Sequence, residues 1–317
     1  MNYQQLAITE FGAPLVLALQ ERALPRPENG QVLVKVSYAG INPIDAKTRA
    51  GLGWAAQQNK DNLPWVPGYD IAGEVLACGE GAECWQAGDR VSGFIGFPLG
   101  GGGYSEYVVA EAASLTKVAP SIALSQAAAL PLAGQTAWQA LEKVGVKANK
   151  RVLILAGAGG VGHLAIQLAV AQGAQVIASC SPANIPFVTA LGAEALDYYK
   201  APLAEQLDSV DCLVDLMGGD VGIAALSCVK AGGKVVTIPT ITAEAVIEQA
   251  SLQGLQAEGM LVSPSVEQNK AMMAMIEAGS LNVHVAGEFP LSDGAKAHQQ
   301  IESGHTRGKL ILTMDRS

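Results

Sequence analysis

Basic residues are outnumbered in this 317-residue chain, which has 20 lysines and arginines against 29 aspartates and glutamates. The net charge of −9 argues against a nucleic acid as the main partner, because a phosphate backbone is bound by a basic face. No uncharged apolar run reaches the roughly 18 residues of a membrane span, so we expect no membrane segment. The N-terminus also has no basic region before an apolar block. We therefore expect no secretory signal and a cytoplasmic location.

Cysteine and histidine, the usual zinc ligands, are few and form no metal-binding pattern. No two of the five cysteines have the close spacing of a zinc knuckle: Cys78, Cys84, Cys180, Cys212 and Cys228. We interpret them as buried, reduced thiols. Three of the four histidines lie near the C-terminus, away from any cysteine: His284, His298 and His305. The fourth, His163, is interpreted as a partly exposed residue at a helix start. The sequence therefore predicts no zinc site.

Short β-like runs, broken by glycine and proline, fill the first 120 residues. Typical examples are QVLVKVSYAG at 31–40, DIAGEVLACG at 70–79 and YSEYVVAE at 104–111. This spacing predicts a compact β-barrel or sandwich.

Strand and helix patterns alternate from about residue 121 onward. The apolar run RVLILA at 151–156 is followed by the helical pattern VGHLAIQLAVAQG, and QVIASC, CLVDLM and KVVTIP come later in the chain. Continuous apolar strands are buried on both faces, so this region is predicted to form a parallel, doubly wound sheet. After a further helix, VHVAGEFPL and KLILTM return to β character, and we expect the tail to rejoin the first domain.

The strongest motif is a glycine-rich loop directly after the strand at 152–155. Gly157, Gly159 and Gly162 form G-x-G-x-x-G at the start of an amphipathic helix. We expect Gly157 to permit the tight turn, Gly159 to let the backbone approach a pyrophosphate, and Gly162 to let the helix pack on the strand. With Gly160 and Val161, the loop is predicted to bind the pyrophosphate of a dinucleotide at the helix N-terminus.

The end of the next strand indicates which dinucleotide is bound. An NAD site usually has an acidic residue there for the ribose 2′-hydroxyl, but here no acid occurs before Glu194. A 2′-phosphate is then not repelled, so NADP(H) is favoured, although no lysine or arginine lies between Arg151 and Lys200. Three uncharged residues are predicted to donate hydrogen bonds to that phosphate instead: Ser181, Asn184 and Tyr198.

Several motifs together resemble the zinc-free quinone oxidoreductase branch of the medium-chain dehydrogenase/reductase superfamily. They are GINPIDAKTRAG, VPGYDIAGEV, GDRV, GGYSEYVV, AAALPLAGQTAWQAL, AGAGGVG, AGGKVVTI and AHQQIESGHTRGKLIL. The resemblance implies an α/β protein with a GroES-like β-barrel domain at 1–123 and 264–317 and a Rossmann-fold domain at 124–263. It also implies an active site in the cleft between the two domains and, by analogy, a homodimer formed through a sheet edge.

The resemblance also gives a meaning to the turn GINPIDAKTR at 40–49. Zinc-dependent relatives have a cysteine ligand where this chain has Asn42, and their histidine ligand is matched by Tyr69. Asn and Tyr are poor zinc ligands, so catalytic zinc is expected to be absent. The resemblance places Thr136 at the nicotinamide and Lys309 near the pyrophosphate. We expect Asn42 to line the nicotinamide end. Tyr69 is expected to donate to the substrate oxygen or, alternatively, to be a packing residue. Asp45 is interpreted as a turn or helix-cap residue in preference to a catalytic one.

The predicted function is metal-free, NADPH-dependent hydride transfer to a small-molecule quinone or α,β-unsaturated carbonyl. Such acceptors are already electrophilic, whereas a saturated alcohol needs a base or a Lewis acid to lose its proton. The alternatives are a zinc-type alcohol dehydrogenase and a non-catalytic NADPH-binding or sensor protein.

Overall fold

The computed structural model describes residues 2–314 and contains fifteen strands and ten α-helices. The strands are β1 (Asn2–Ala7), β2 (Ala18–Ala23), β3 (Gln31–Ile41), β4 (Asp70–Cys78), β5 (Arg90–Phe94), β6 (Tyr107–Glu111), β7 (Leu115–Lys117), β8 (Arg151–Ile154), β9 (Gln175–Cys180), β10 (Glu194–Asp197), β11 (Val210–Asp215), β12 (Val229–Thr237), β13 (Gln256–Gly259), β14 (Val285–Pro290) and β15 (Lys309–Thr313). The helices are α1 (Pro43–Arg49), α2 (Gly53–Asn59), α3 (Leu124–Ala129), α4 (Pro131–Val144), α5 (Gly162–Ala171), α6 (Ile185–Ala190), α7 (Gly219–Ala225), α8 (Ala243–Leu252), α9 (Val266–Glu277) and α10 (Gly294–Glu302).

The chain divides into two compact units. The first contains the residues up to Gln135, Pro264–Gly279 and the residues from Val283 onward. The second contains Thr136–Ser263 and Ser280–Asn282.

A seven-stranded sheet organises the first unit, in the order β14-β15-β3-β4-β5-β7, with β6 also paired to β3. β3 is the central strand, because it pairs with β15, β4 and β6. Its alternating valines Val32, Val34 and Val36 are each no more than 2% exposed and form part of the core. The C-terminal strand β15 pairs antiparallel with β3, so the tail and the N-terminal strands share one sheet.

A six-stranded parallel sheet organises the second unit, in the order β10-β9-β8-β11-β12-β13. Numbered within the unit, this order is 3-2-1-4-5-6, the order of a dinucleotide-binding Rossmann fold. The strands are short and apolar, and residues such as Leu153, Ile154 and Val214 are fully buried between the helices on either face. The predicted fold class, a β-barrel domain combined with a Rossmann domain, is confirmed.

Two smaller expectations have different outcomes. None of the helices in residues 2–314 is long and apolar enough to cross a membrane. The interpretation of all five cysteines as buried is wrong for Cys78 and Cys84, which are exposed at the end of β4 and in the loop after it. The other three cysteines are buried.

Candidate active site

The glycine-rich loop follows the carboxyl end of β8 and leads into α5. The residue with left-handed backbone is Ala156, with a φ of 51°, and not Gly157. Gly157 is needed for packing, because an added Cβ would lie 2.6 Å from Cβ of Ala178 on β9. A Cβ on Gly162 would lie 2.2 Å from the carbonyl oxygen of Ala156. Both glycines therefore let the start of α5 pack closely on the sheet.

Gly159 differs from these two glycines because its open side is not filled by protein. A Cβ added there would meet only Ala156, at 3.2 Å from the carbonyl oxygen and 4.0 Å from Cβ. The loop thus leaves room for another molecule at the carboxyl edge of a parallel sheet and at a helix N-terminus, the place where this fold binds a pyrophosphate. The residues present fit a dinucleotide.

His163, in the first turn of α5, is fully buried, so its interpretation as a partly exposed residue is wrong. Its Nδ1 lies 2.9 Å from the carbonyl oxygen of Gly159. With the proton on Nδ1, the imidazole donates to that oxygen and braces the loop from the protein side.

Of the three residues predicted to contact a 2′-phosphate, Ser181 and Asn184 lie directly after β9, and Tyr198 directly follows the neighbouring strand β10. The amide Nδ2 of Asn184 donates to Oγ of Ser181 at 3.1 Å, which leaves the Ser181 hydroxyl proton able to donate elsewhere. Tyr198 is 45% exposed and packs against Tyr199, with ring centroids 4.5 Å apart and ring planes tilted by 46°.

In the first unit, the turn at 40–49 becomes the start of α1, with Asn42 as its N-cap residue. The backbone N–H of Asn42 donates to Oδ2 of Asp45 at 2.8 Å, and the N–H of Gly68 donates to Oδ1 of the same carboxylate at 3.0 Å. Asp45, at the third helical position, therefore caps the start of α1 through its side chain, as the sequence indicates, and Asn42 is the residue at the N-cap position. Burial raises its pKa to about 7 despite these two hydrogen bonds.

Three adjacent strands bring Lys309, Asn42 and Asp70 together as a buried network. Lys309 begins β15, Asn42 directly follows β3 and Asp70 begins β4. The Lys309 ammonium donates to the carbonyl oxygen of Ile41 at 2.9 Å and to Oδ1 of Asn42, and it lies 3.9 Å from Oδ2 of Asp70. The Asn42 amide donates in turn to Asp70 at 2.8 Å, and the N–H of Leu132 donates to the other Asp70 oxygen at 2.8 Å.

Burial opposes both charges in this network. It lowers the pKa of Lys309, although Asp70 and Asp45 pull that pKa upward, and it raises the pKa of Asp70. Because a lysine only donates and a carboxylate only accepts, the orientation of the Asn42 amide between them is fixed.

Several of the predicted site residues are already engaged in hydrogen bonds within the protein, in this network or beside it. Asn42 is 1% exposed and bonded at both ends of its amide, and Lys309 donates to two protein oxygens while a third, Oδ2 of Asp70, lies 3.9 Å away. A contact of Lys309 with pyrophosphate stays a prediction that requires these bonds to be exchanged. Tyr69 is fully buried and donates to the carbonyl oxygen of Pro98 at 2.9 Å. Burial, together with Asp45, raises the pKa of its phenol. Thr136, on α4, is 3% exposed.

Sequence reasoning missed a second buried polar group, beside α1. His298 on α10 is fully buried, and its Nε2 lies 3.1 Å from the hydroxyl of Tyr104. Burial, with help from the Arg49 charge, lowers the pKa of His298 to about 3. Arg49 is 1% exposed and forms an ion pair with Glu302. The sequence feature that could have indicated this group is the four-residue spacing of His298 and Glu302, which puts both residues on one face of α10.

The donor set at the turn does not fit zinc. The oxygens of Asn42 and Asp70 already face an ammonium, and the Tyr69 hydroxyl is used by Pro98. Within residues 2–314, no three His, Cys, Asp or Glu side chains are grouped so as to hold a metal ion.

Comparison with known proteins matches both parts of the chain. Residues 28–120 match the alcohol dehydrogenase GroES-like domain family, and residues 191–312 match the family described as zinc-binding dehydrogenase. The NADPH-dependent alkenal/one oxidoreductase, chloroplastic, of Arabidopsis thaliana is 34% identical over 315 residues, which cover 96% of this chain and 78% of that relative.

Two solved structures are similar over nearly the whole chain. The quinone oxidoreductase from Coxiella burnetii has a TM-score of 0.96 at 40% identity, covering 99% of this chain and 100% of that one. Escherichia coli quinone oxidoreductase, complexed with NADPH, has a TM-score of 0.87 at 27% identity, covering 98% and 99%.

A GroES-like domain and a Rossmann domain in one chain define the class of medium-chain dehydrogenases and reductases. The chain belongs to the quinone oxidoreductase branch of that superfamily.

Proposed function

We propose that this protein is an NADPH-dependent, metal-free oxidoreductase that transfers hydride to a quinone or an α,β-unsaturated carbonyl. The observation that carries the proposal is the Lys309 ammonium at the oxygens of Asn42 and Asp70. Lys309 occupies the turn with a buried ammonium that already donates to Ile41 and Asn42, and an ammonium, unlike a metal ion, has no vacant orbital with which to polarise a substrate oxygen as a Lewis acid. This supports an acceptor that is electrophilic by itself, as quinones and enones are.

The second unit is proposed to hold the cofactor, which supplies the hydride when bound. The residues offered to the pyrophosphate are Gly157, Gly159, Gly160, Val161 and Gly162. Those offered to the 2′-phosphate are Ser181, Asn184 and Tyr198. The similarity to an NADPH-dependent relative and to a quinone oxidoreductase complexed with NADPH supports the choice of NADPH over NADH. Thr136 is proposed to contact the nicotinamide.

The chain's own residues have three tasks in this reaction: to bind the acceptor, to orient it and to exclude water. A conjugated acceptor takes hydride at carbon while negative charge moves to its oxygen, and donors aimed at that oxygen lower the barrier. Tyr69 and Asn42 remain the proposed donors at the reacting end, and both must exchange a present hydrogen bond to act in this way.

Stopped-flow mixing of the NADPH-loaded protein with a panel of quinones and short enals tests the proposal. We expect the NADPH absorbance to decay at a rate that depends on the acceptor. Tight NADPH binding without oxidation by any acceptor would instead support the non-catalytic, cofactor-binding alternative. Metal analysis of the same sample checks the other alternative, and one zinc ion per chain would overturn the metal-free reaction.

We also propose a homodimer formed through the sheet of the second unit. β13 is an edge strand that pairs with β12 alone in the described sheet, and such an edge offers backbone groups to a second copy. Light scattering during gel filtration measures the mass, and a monomer at micromolar concentration would refute the dimer. The cytoplasmic location expected from the sequence stays a prediction, which cell fractionation tests.

A further inference from the structure

Aromatic residues make up only 5% of the chain, yet five of the sixteen gather in the first unit next to the Asn42 turn. They are Trp54, Trp65, Tyr69, Phe94 and Phe97. Phe97 is the centre of the group: its ring centroid lies 5.0 Å from Phe94, 5.3 Å from Tyr69 and 6.4 Å from Trp54. The group joins the turn through Gly68, which precedes Tyr69 and donates its N–H to Asp45.

The five rings differ in exposure, and this difference separates packing residues from candidate binding residues. Trp65, Tyr69 and Phe94 are at most 4% exposed and belong to the core. Trp54 and Phe97 are only partly buried, so each of these residues keeps some accessible surface. Their planes meet at 81°, which makes an aromatic corner of one ring face and one ring edge.

The corner is held in place by the buried rings behind it. The Tyr69 hydroxyl donates to the carbonyl oxygen of Pro98, and the indole N–H of Trp65 donates to that of Leu99 at 3.2 Å. Both bonds fix the loop that carries Phe97. On the other side, Trp54 is placed by α2, whose next residues Ala55 and Ala56 are buried. A binding surface built in this way loses little entropy when a ligand arrives.

We propose that Trp54 and Phe97 bind the flat ring of the acceptor and so make the enzyme selective for planar quinones over short aliphatic enals. The inference rests on the proposed function, which includes both kinds of acceptor. A quinone ring is electron-poor, whereas the faces of indole and phenyl rings are electron-rich, so stacking adds to the burial of apolar area. A short enal has no ring to stack and gains little from the corner.

Binding can be measured apart from catalysis, because a bound quinone quenches the fluorescence of a tryptophan it touches. In a titration of the NADP⁺-loaded protein, which has no hydride to transfer, with menadione, or of the NADPH-loaded protein with a non-reducible naphthalene analogue, we expect saturable quenching. Trp54→Leu should abolish most of this quenching, and Trp85→Leu should keep it. Trp85 is a matched control because it is a partly buried tryptophan of the same unit, bonded to Ala112 and outside the aromatic group.

Selectivity is measured as kcat/KM for 1,4-naphthoquinone and for 2-pentenal. Trp54→Leu and Phe97→Leu should each lower the quinone value about tenfold, equivalent to about 1.4 kcal/mol, and change the enal value less than twofold. Trp54→Phe keeps a ring and should retain most of the quinone activity, which covers the case in which the leucine variant folds poorly. Equal losses for both substrates, or no loss for either, would overturn the inference.

The two hypotheses fail in different ways. A wild-type protein that reduces neither acceptor refutes the proposed function, while the quenching titration still reports on the corner. A wild-type protein that reduces enals well, but shows no quenching that depends on Trp54, refutes the corner and leaves the proposed function standing.

Discussion

Replacing Lys309 by methionine tests the buried network most directly. Methionine keeps the length and apolar stem of lysine but removes the charge and all three protons. The variant would leave Asp70 as a fully buried carboxylate without a counter-ion, next to an Asn42 amide that has lost its donor. Removing one partner of a buried ion pair typically costs about 3–5 kcal/mol, and this pair is nearly inaccessible to water, so we expect a loss of that size.

The matched compensating variant is Lys309→Met combined with Asp70→Asn. It removes both charges at once, so no isolated charge is left in the core. The new amide at position 70 can still accept from the N–H of Leu132, and the Asn42 amide can rotate to accept from its nitrogen. We expect the double variant to be more stable than Lys309→Met alone by at least about 2 kcal/mol, because neutral replacements of buried ion pairs are often tolerated.

Denaturant unfolding, followed by fluorescence and far-UV circular dichroism, measures these differences. Lys296→Met is the control, since Lys296 is exposed and its pair with Asp293 should contribute less than about 1 kcal/mol. NADPH titration on the same variants separates the network from the predicted pyrophosphate contact. A Lys309→Met protein of normal stability, with a much weaker and salt-dependent affinity for NADPH, would refute the network and support the phosphate contact.

Three further outcomes are expected. Gly159→Val should abolish NADPH binding with little loss of stability, because the valine side chain enters the open side of the loop. Gly162→Val should instead destabilise the fold, because its side chain would clash with the backbone of Ala156. Normal NADPH affinity in Gly159→Val would refute the assignment of this loop to the pyrophosphate. His298→Gln should make the free energy of unfolding depend less on pH below about 6.5. In the wild type the folded-state pKa of His298, about 3, lies below its ordinary 6.5, so stability falls as the pH drops from about 6.5 to 3. An unchanged slope in pH-dependent unfolding of the variant would contradict this. Asn42→Ala should lower kcat more than it raises the Kd for NADPH, and an unchanged kcat would reduce Asn42 to a scaffold residue.

Local patterns were enough to predict the parallel sheet of the second unit and a β-rich first unit, whereas the GroES-like barrel was implied by the family resemblance. The alternation in β3 and the apolar runs of β8, β9, β11 and β12 report burial on one or both faces, and that signal lies within a few residues of sequence. The glycine loop was predictable for the same reason, since strand, turn and helix follow one another without a gap. Even there, the left-handed position fell at Ala156, because the sequence shows that a turn exists but not which peptide carries the strain.

The chemistry of the turn was not predictable from local pattern. Asn42 is followed by Asp45 within one helical turn, so that contact could be inferred from spacing alone. Its other two partners are 28 and 267 residues away in the chain, and only the pairing of β15, β3 and β4 brings them together. The burial of His163 was missed for a related reason, because the start of a helix is an exposed place unless the loop before it folds back over the side chain.

The network shows what holds the turn together and what chemistry its cation can supply. A cation between strands β15, β3 and β4 neutralises the buried Asp70 and orients the Asn42 amide, and Lys309 does both through ordinary hydrogen bonds. Polarising a substrate oxygen as a Lewis acid requires a vacant coordination position, which an ammonium lacks; Lys309 can only donate hydrogen bonds, and two of these go to Ile41 and Asn42. The charge that holds the turn together is therefore unable to activate an alcohol or an isolated carbonyl. This favours the proposed acceptors, whose own conjugation makes them electrophilic.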